Sequence, residues 1–303
     1  MPNNVLLLGN GINRIKSNAY SWGDLINDLI NEFCNGNINN NRSPSKPFPL
    51  LYEEILSYAL SHGTGNEDSI KNYIRNKIER MLPNTCHYLI RNQNFADILT
   101  TNFDYTIEKA LGEESHFELA QGYPNELKYS LFRKKVTLEP KSLSIWHLHG
   151  EAKKIGSITL GYEHYSGHLQ HLREFVKRKP KVDDQSYNLW IRLLKGKIGS
   201  WVDYFFSHNI HIVGLGLDFS ELDLWWLLVY RSRIIMQVDK ENGMYNIQNK
   251  IYYYHEQHKG ANAQLHNKLE ILKSLGVTLV PIPLRNNNYQ GLYTDIFTNK
   301  LRL

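Results

Sequence analysis

Cysteine is nearly absent. Cys34 and Cys86 are the only two in 303 residues. So distant a pair cannot build a disulfide framework or a four-thiolate zinc site, and this thiol-poor composition fits a reducing compartment. Long apolar runs are missing too: the longest in the C-terminal third is Leu224 to Tyr230, against the roughly 20 residues of a membrane-spanning helix. The start, MPNNVLLLGN, lacks the basic stretch and apolar segment of a secretory signal, so the expected location is the cytoplasm, with no membrane partner. Proline is sparse at 10 residues, hydrophobic content is 42% and charged content 21%. That balance excludes a disordered chain and is enough to bury a sizeable core.

Charge is unevenly spread. The net charge is +5, yet residues 128–197 hold 15 Lys/Arg against 6 Asp/Glu. Such a segment is either a solvated helical face or a surface for an anionic partner, nucleic acid or an acidic protein, and charge alone does not separate the two.

Val5 to Leu8 is a short apolar run stopped by Gly9-Asn10-Gly11, the pattern of a buried strand ending in a glycine turn. The same reasoning predicts buried strands at 96–99, 143–148, 210–213, 251–254 and 277–280. Between them, three-to-four spacing of apolar residues predicts helices over 68–82 and 260–275. The alternation defines an α/β chain with a Rossmann-like, mostly parallel sheet and helices on both faces. Two stretches interrupt it and are expected to be helical insertions: 35–94, and 162–206, the latter read as two basic helices split at Lys179-Pro180-Lys181. The expected organisation is one domain over 1–303, with a core of 1–34, 95–161 and 207–303. Open parallel sheets bind ligands beyond the carboxyl ends of their strands, which directs attention to the loops there.

Four such loops carry candidate chemistry. Gly9-Asn10-Gly11-Ile12-Asn13 lets backbone approach a phosphate, although a Gly-x-Gly after a strand is equally a plain tight turn. Thr100-Thr101-Asn102-Phe103-Asp104 precedes a helix predicted at 105–111; Asp104 suits an N-cap, whereas Asn102 is harder to explain that way. Trp146-His147-Leu148-His149-Gly150 puts a histidine and a glycine at a strand end, where the side chain can reach a ligand. Gly214-Leu215-Gly216-Leu217-Asp218 is a further glycine turn, followed by Ser220 and Asp223 at capping-box spacing before the Trp225-Trp226 helix.

In this order the motifs resemble the sirtuin (silent information regulator) superfamily, whose core has a glycine turn, a Thr-Gln-Asn-Ile-Asp motif, a His-Gly and a later glycine turn. The resemblance spans residues 3–34, 95–165 and 209–282. It looks most like the bacterial anti-phage defence branch of NAD-consuming effectors, in which Gly-Asn-Gly, a following Trp-x-x-Leu (Trp22 to Leu25) and Thr-Thr-Asn-Phe-Asp recur. Deacylating sirtuins carry four zinc cysteines after His-Gly and a Gly-Ile-Pro-Asp-Phe-Arg segment after the first turn. Both are missing here, and no His/Asp cluster at ligand spacing in the sequence replaces the zinc site.

The resemblance implies an NAD hydrolase (NAD glycohydrolase) that releases nicotinamide and ADP-ribose, with NAD as substrate and no metal. A zinc-free deacylase, an ADP-ribosyl transferase and a non-catalytic NAD or ADP-ribose sensor are the alternatives. Asn102 and His149 would be catalytic, with His149 a neutral base of ordinary pKa near about 6.5. NAD would contact Gly9, Asn10, Gly11 and Asn13 after the first strand, Thr101 and Asp104 after the second, and Gly214, Gly216 and Asp218 at the later turn. Expected partners are further copies of the chain and a partner subunit such as a ring-shaped DNA-translocating ATPase. Nucleic acid would be met through that partner or through residues 128–197.

Overall fold

The computed structural model describes residues 3–15, 20–38, 46–112, 117–119, 128–137, 143–177, 188–236, 246–257 and 263–301. Eight strands form one sheet: β1 (Asn4–Leu8), β2 (Ile98–Thr100), β3 (Phe117–Leu119), β4 (Lys134–Thr137), β5 (Leu143–His147), β6 (Asn209–Val213), β7 (Ile251–Gln257) and β8 (Thr278–Pro283), in the order β3-β4-β5-β2-β1-β6-β7-β8. All neighbours are parallel except β3–β4 and β4–β5. The fold is α/β and Rossmann-like, as the apolar runs predict. The antiparallel β3–β4 edge is an addition that no periodicity in the sequence announces.

Register decides where chemistry can occur. Leu8 pairs with Thr100 and with Val213, and Thr100 pairs with His147. The four motif loops therefore leave the sheet at one level, from adjacent strands about 4.8 Å apart. The chain passes from β1 towards β2 on one side and reaches β6 on the other, so β1 and β6 flank the topological switch point.

The helices are α1 (Trp22–Cys34), α2 (Phe48–His62), α3 (Glu67–Ile78), α4 (Thr85–Ile90), α5 (Thr106–Leu111), α6 (Tyr162–Lys177), α7 (Leu189–Leu194), α8 (Tyr204–Ser207), α9 (Leu222–Ile235), α10 (Ala263–Ser274) and α11 (Tyr289–Asp295). Strand alternation sorts the core. Val5, Leu7, Leu99, Trp146, Ile210 and Ile212 join the face covered by α6 to α10, and Leu6, Leu8, Ile98, Ile145 and Val213 join the face covered by α4, α5 and α11. A third cluster holds α1, α2 and α3 together. Residues 35–94 thus divide, with α2 and α3 packing on α1 while α4 packs under the sheet.

Boundaries shift where side chains intervene. The second strand starts at Ile98, not 96; just before it, buried Asp97 accepts hydrogen bonds from Ser144 N (2.7 Å), Trp146 Nε1 (3.0 Å) and the Tyr204 hydroxyl. The helix predicted over 68–82 is Glu67–Ile78, started by a reciprocal Asn66–Ser69 cap. The Lys179-Pro180-Lys181 break lies outside the described residues. Within the basic stretch, Lys128, Lys135 and Arg192 meet Glu67, Glu151 and Asp203 in ion pairs, so part of its charge is spent inside the chain. No helix among the described residues is long and apolar enough to cross a membrane.

Three buried histidines, His87, His164 and His211, are each pushed down to about 4, chiefly by burial. Below about pH 6.5 the unfolded chain binds protons that these folded histidines refuse, so stability falls as pH drops from about 6.5 towards 4. Each contributes at most about 1.4 kcal/mol per pH unit in that window. Denaturant midpoints are expected to fall steeply between pH 6.5 and 4.5; a flat profile would contradict the buried neutral state.

Candidate active site

The first loop meets the last at their glycines. Gly9 N donates to Val213 O (3.0 Å) and Gly11 N to Gly214 O (2.7 Å). A Cβ on Gly9 would sit 2.5 Å from Leu215 Cα and 2.6 Å from Gly214 O, so the two turns interlock only without side chains. Gly214 adds a left-handed φ of 65°. These glycines serve close packing of two turns, and the N–H groups of Gly9 and Gly11 are already engaged.

Polar side chains then tie the first loop to the second. Asn13 Nδ2 donates to Asn10 Oδ1 (2.8 Å) and to Asp104 Oδ2 (2.9 Å). Asp104 Oδ1 accepts from Thr106 N (2.9 Å) and from its hydroxyl (2.5 Å). Asp104 is therefore both a helix-start acceptor and a bridge. Thr101 is buried, its N–H donating to Leu8 O (3.3 Å).

Asn10, Asn102 and Asp104 line one small pocket of about 30 Å³, together with Tyr20, Trp22 and Phe103. Trp22 meets Phe103 edge-on at 5.2 Å. Asn102 is 4% exposed, and its Nδ2 is buried without a hydrogen-bond partner among the described residues. An unmet buried donor costs about 1–3 kcal/mol, a cost that a ligand accepting from it would relieve. Its backbone is braced: His147 donates from Nδ1 to Asn102 O (2.9 Å) and from Nε2 to Glu108 Oε1 (2.7 Å). Burial alone would depress the His147 pKa, but the Glu108 charge and hydrogen bond raise it overall.

His149 stands two residues past His147, where β5 ends, and Asn102 two past Thr100, where β2 ends, so both lie in loops that leave paired strand ends; His149 is not among the residues that line the Asn102 pocket. His149 is buried; its Nε2 lies 2.8 Å from Asp223 Oδ2, and the same oxygen is 2.9 Å from His168 Nδ1. Tyr165 packs edge-on against His149 at 5.3 Å, and His168 stacks on Trp201. Gly216 and Asp218 line a different cavity, of about 280 Å³, with Glu256 and Lys268.

Three expectations are corrected here. Ser220 and Asp223 do not form a capping box: Ser220 Oγ bonds Asp218 Oδ1 (2.9 Å), no side chain caps α9, and Asp223 turns inward to the two histidines. A His/Asp cluster does exist, because folding unites His149, His168 and Asp223, which the sequence separates. His149 is not an ordinary histidine: burial lowers its pKa, but the Asp223 charge and hydrogen bond outweigh it and leave it raised. Asp223 and His168 are the site residues that sequence reasoning missed. Asp223 showed only a helix-start spacing, and His168 no signal at all.

The 2.8 and 2.9 Å separations are those of hydrogen bonds. Zinc at tetrahedral angles would hold such ligand atoms about 3.3 Å apart. The cluster therefore fits a proton-sharing arrangement better than a metal cage. Chelator treatment is expected to leave the melting temperature unchanged, and elemental analysis of purified protein to find no stoichiometric zinc; one tightly held equivalent would contradict this.

An α/β sheet with polar side chains and glycine turns converging at its carboxyl edge defines a Rossmann-like ligand-binding domain. Residues 96–218 match the family model of the SIR2-like domain, in agreement with the sirtuin-like motifs, and this match is consistent with an NAD-using enzyme. No curated protein matches the chain.

Proposed function

We propose that the chain is an NAD glycohydrolase, cleaving the nicotinamide–ribose bond with water to give nicotinamide and ADP-ribose. The observation that carries this reading is Asn102, which lines a pocket with Asp104 and Asn10 and whose buried amide donor has no hydrogen-bond partner among the described residues, in the loop next to the one that bears His149. In this reading the pocket widens to admit nicotinamide beside the Trp22–Phe103 pair, and its carboxamide hydrogens find remaining acceptor sites on Asp104. The C1′–N bond breaks with its electron pair moving to the ring nitrogen, which neutralises the pyridinium. Positive charge builds on the ribose, so the leaving group needs no acid. Asn102 orients the ribose hydroxyls and a water, the water oxygen bonds C1′, and His149 takes its proton. The glycine-rich turns after β1 and β6 flank the path of the rest of the dinucleotide.

Incubating the purified chain with NAD and following nicotinamide release tests the reading; absence of release under all assembly states would refute it. The motifs Gly9-Asn10-Gly11, Trp22 to Leu25 and Thr100 to Asp104 support an effector role in bacterial anti-phage defence. An unrestrained NAD hydrolase empties its own cell, so activity is gated by self-assembly or by a partner subunit. Residues 35–94 and 162–206 are the proposed contact surfaces. Light scattering combined with assay is expected to find activity only in an assembled form; a fully active monomer would refute the gating.

A further inference from the structure

The site contains more acid–base machinery than one histidine. Asp223 lies in the first turn of α9, is fully buried, and shares one oxygen, Oδ2, between His149 Nε2 at 2.8 Å and His168 Nδ1 at 2.9 Å. A carboxylate oxygen only accepts, so both ring nitrogens carry hydrogen. This fixes His149 as the Nε2–H tautomer and leaves Nδ1 as its basic nitrogen; among the described residues Nδ1 makes no hydrogen bond. His168 reaches the same carboxylate oxygen from α6, edge-on to His149, and its stacking on Trp201 holds the ring in place.

We infer that Asp223 is the positioning residue of the site: it fixes the tautomer of His149, orients its ring and stabilises the imidazolium formed when Nδ1 accepts a proton, while His168 holds the carboxylate from α6. The identity of the proton donor rests on the NAD-hydrolase reading; the tautomer rests on geometry alone. The same division of labour, a buried acid behind a histidine base, suits any step in which the histidine must gain a proton in the transition state.

The surroundings make the two histidines unequal. Groups facing His149 are Asp223 and Glu221 at the start of α9 and Tyr165 and His168 from α6. Asp223 is held far below the usual carboxylate range by the two histidines, although burial opposes this. Glu221, with Oε2 buried and without a hydrogen-bond partner among the described residues and with Asp218 and Lys268 facing it, is pushed up to about 8 by burial, so near neutrality it adds little negative charge. His149 is raised, because Asp223 and its hydrogen bond outweigh burial. His168 is lowered, by burial and by the positive charges of His149 and His171, so it stays neutral and acts as a fixed donor.

The consequence for rate has two opposite signs. A raised His149 pKa means that the basic form is lost as pH falls through a value above about 6.5, so the acid limb of kcat/KM lies there. Asp223→Asn keeps the shape and removes the charge. It is expected to lower the high-pH plateau of kcat roughly 10²-fold or more with little change in KM, and to move the acid limb to lower pH. A residue that merely held the fold would lower kcat in proportion to folded protein and leave the limb unmoved; that result overturns the inference.

Histidine NMR on the wild-type chain closes the test without relying on activity. With ring ¹⁵N labelling, and His149→Gln used to assign the signal, His149 is expected to titrate above about 6.5 and to be the Nε2–H tautomer at high pH. An Nδ1–H tautomer, or a titration at or below that value, overturns the assignment. If the tautomer is Nε2–H while NAD is not hydrolysed in any assembly state, the positioning role stands and the hydrolase reading fails.

Discussion

Replacing His149 by alanine is expected to lower NAD turnover by roughly 10² to 10⁴-fold while NAD still binds, because a general base acts more in the transition state than in the ground state. Asn102→Ala is expected to do similar damage, since the donor now held unmet at the cavity wall would no longer orient the water. In the proposed mechanism both residues serve one step, so the double variant should be little worse than the worse single one. Stability separates this from a packing role. Asn102→Ala removes a buried donor that has no partner, so its melting temperature should hold or rise. A His149→Ala protein that melts like wild type and hydrolyses NAD at near the wild-type rate would end the catalytic assignment.

Gly150→Ala is expected to be the most damaging single-methyl change near the site. Gly150 has φ of 106°, a conformation that L side chains rarely adopt, and a Cβ there would sit 2.5 Å from Ser157 C and 2.8 Å from Ile158 N. Neither obstacle is a flexible side-chain tip; both are backbone of the turn whose Thr159 N donates to His149 O (2.8 Å). Strain and overpacking together cost roughly 2–4 kcal/mol, and relief would require moving the segment that holds His149. The expected result is a melting temperature lower by roughly 5 °C or more, with turnover reduced beyond the loss of folded protein. Gly216→Ala is the contrast in stability: a Cβ there meets nothing within 4 Å. Its melting temperature should stay within a degree or two or rise slightly. Equal destabilisation at both glycines would show that the backbone clash at Gly150 is not what matters.

The sequence reading expected no metal, and the 2.8 and 2.9 Å separations in the His/Asp cluster are the lengths of hydrogen bonds. Composition excludes a cysteine cage, but it carries no information about side chains that meet across folded chain. His149 and Asp223 are 74 positions apart, and His168 and Asp223 are 55 apart.

Strand centres, the α/β class and the loops that bear Asn102, Asp104 and His149 were legible in the sequence because they depend on local features. Buried parallel strands need short apolar runs, and the chain can turn sharply out of them only at residues such as Gly9, Gly150 and Gly214. Local rules failed where a distant partner outbid them. Asp97, just ahead of β2, is buried because Ser144, Trp146 and Tyr204 meet its carboxylate. The spacing of Ser220 and Asp223 satisfies a cap on paper, yet two buried histidines need a carboxylate more than an exposed helix end does. The β3–β4 edge escaped notice because a short antiparallel pair is defined by its partner strand, not by a periodic pattern of its own. What the sequence alone determined was which residues stand at the carboxyl edge of the sheet. Only the tertiary structure decided how they are charged and oriented, since the raised pKa of His149 depends on a carboxylate brought from α9 and fixed by a histidine from α6.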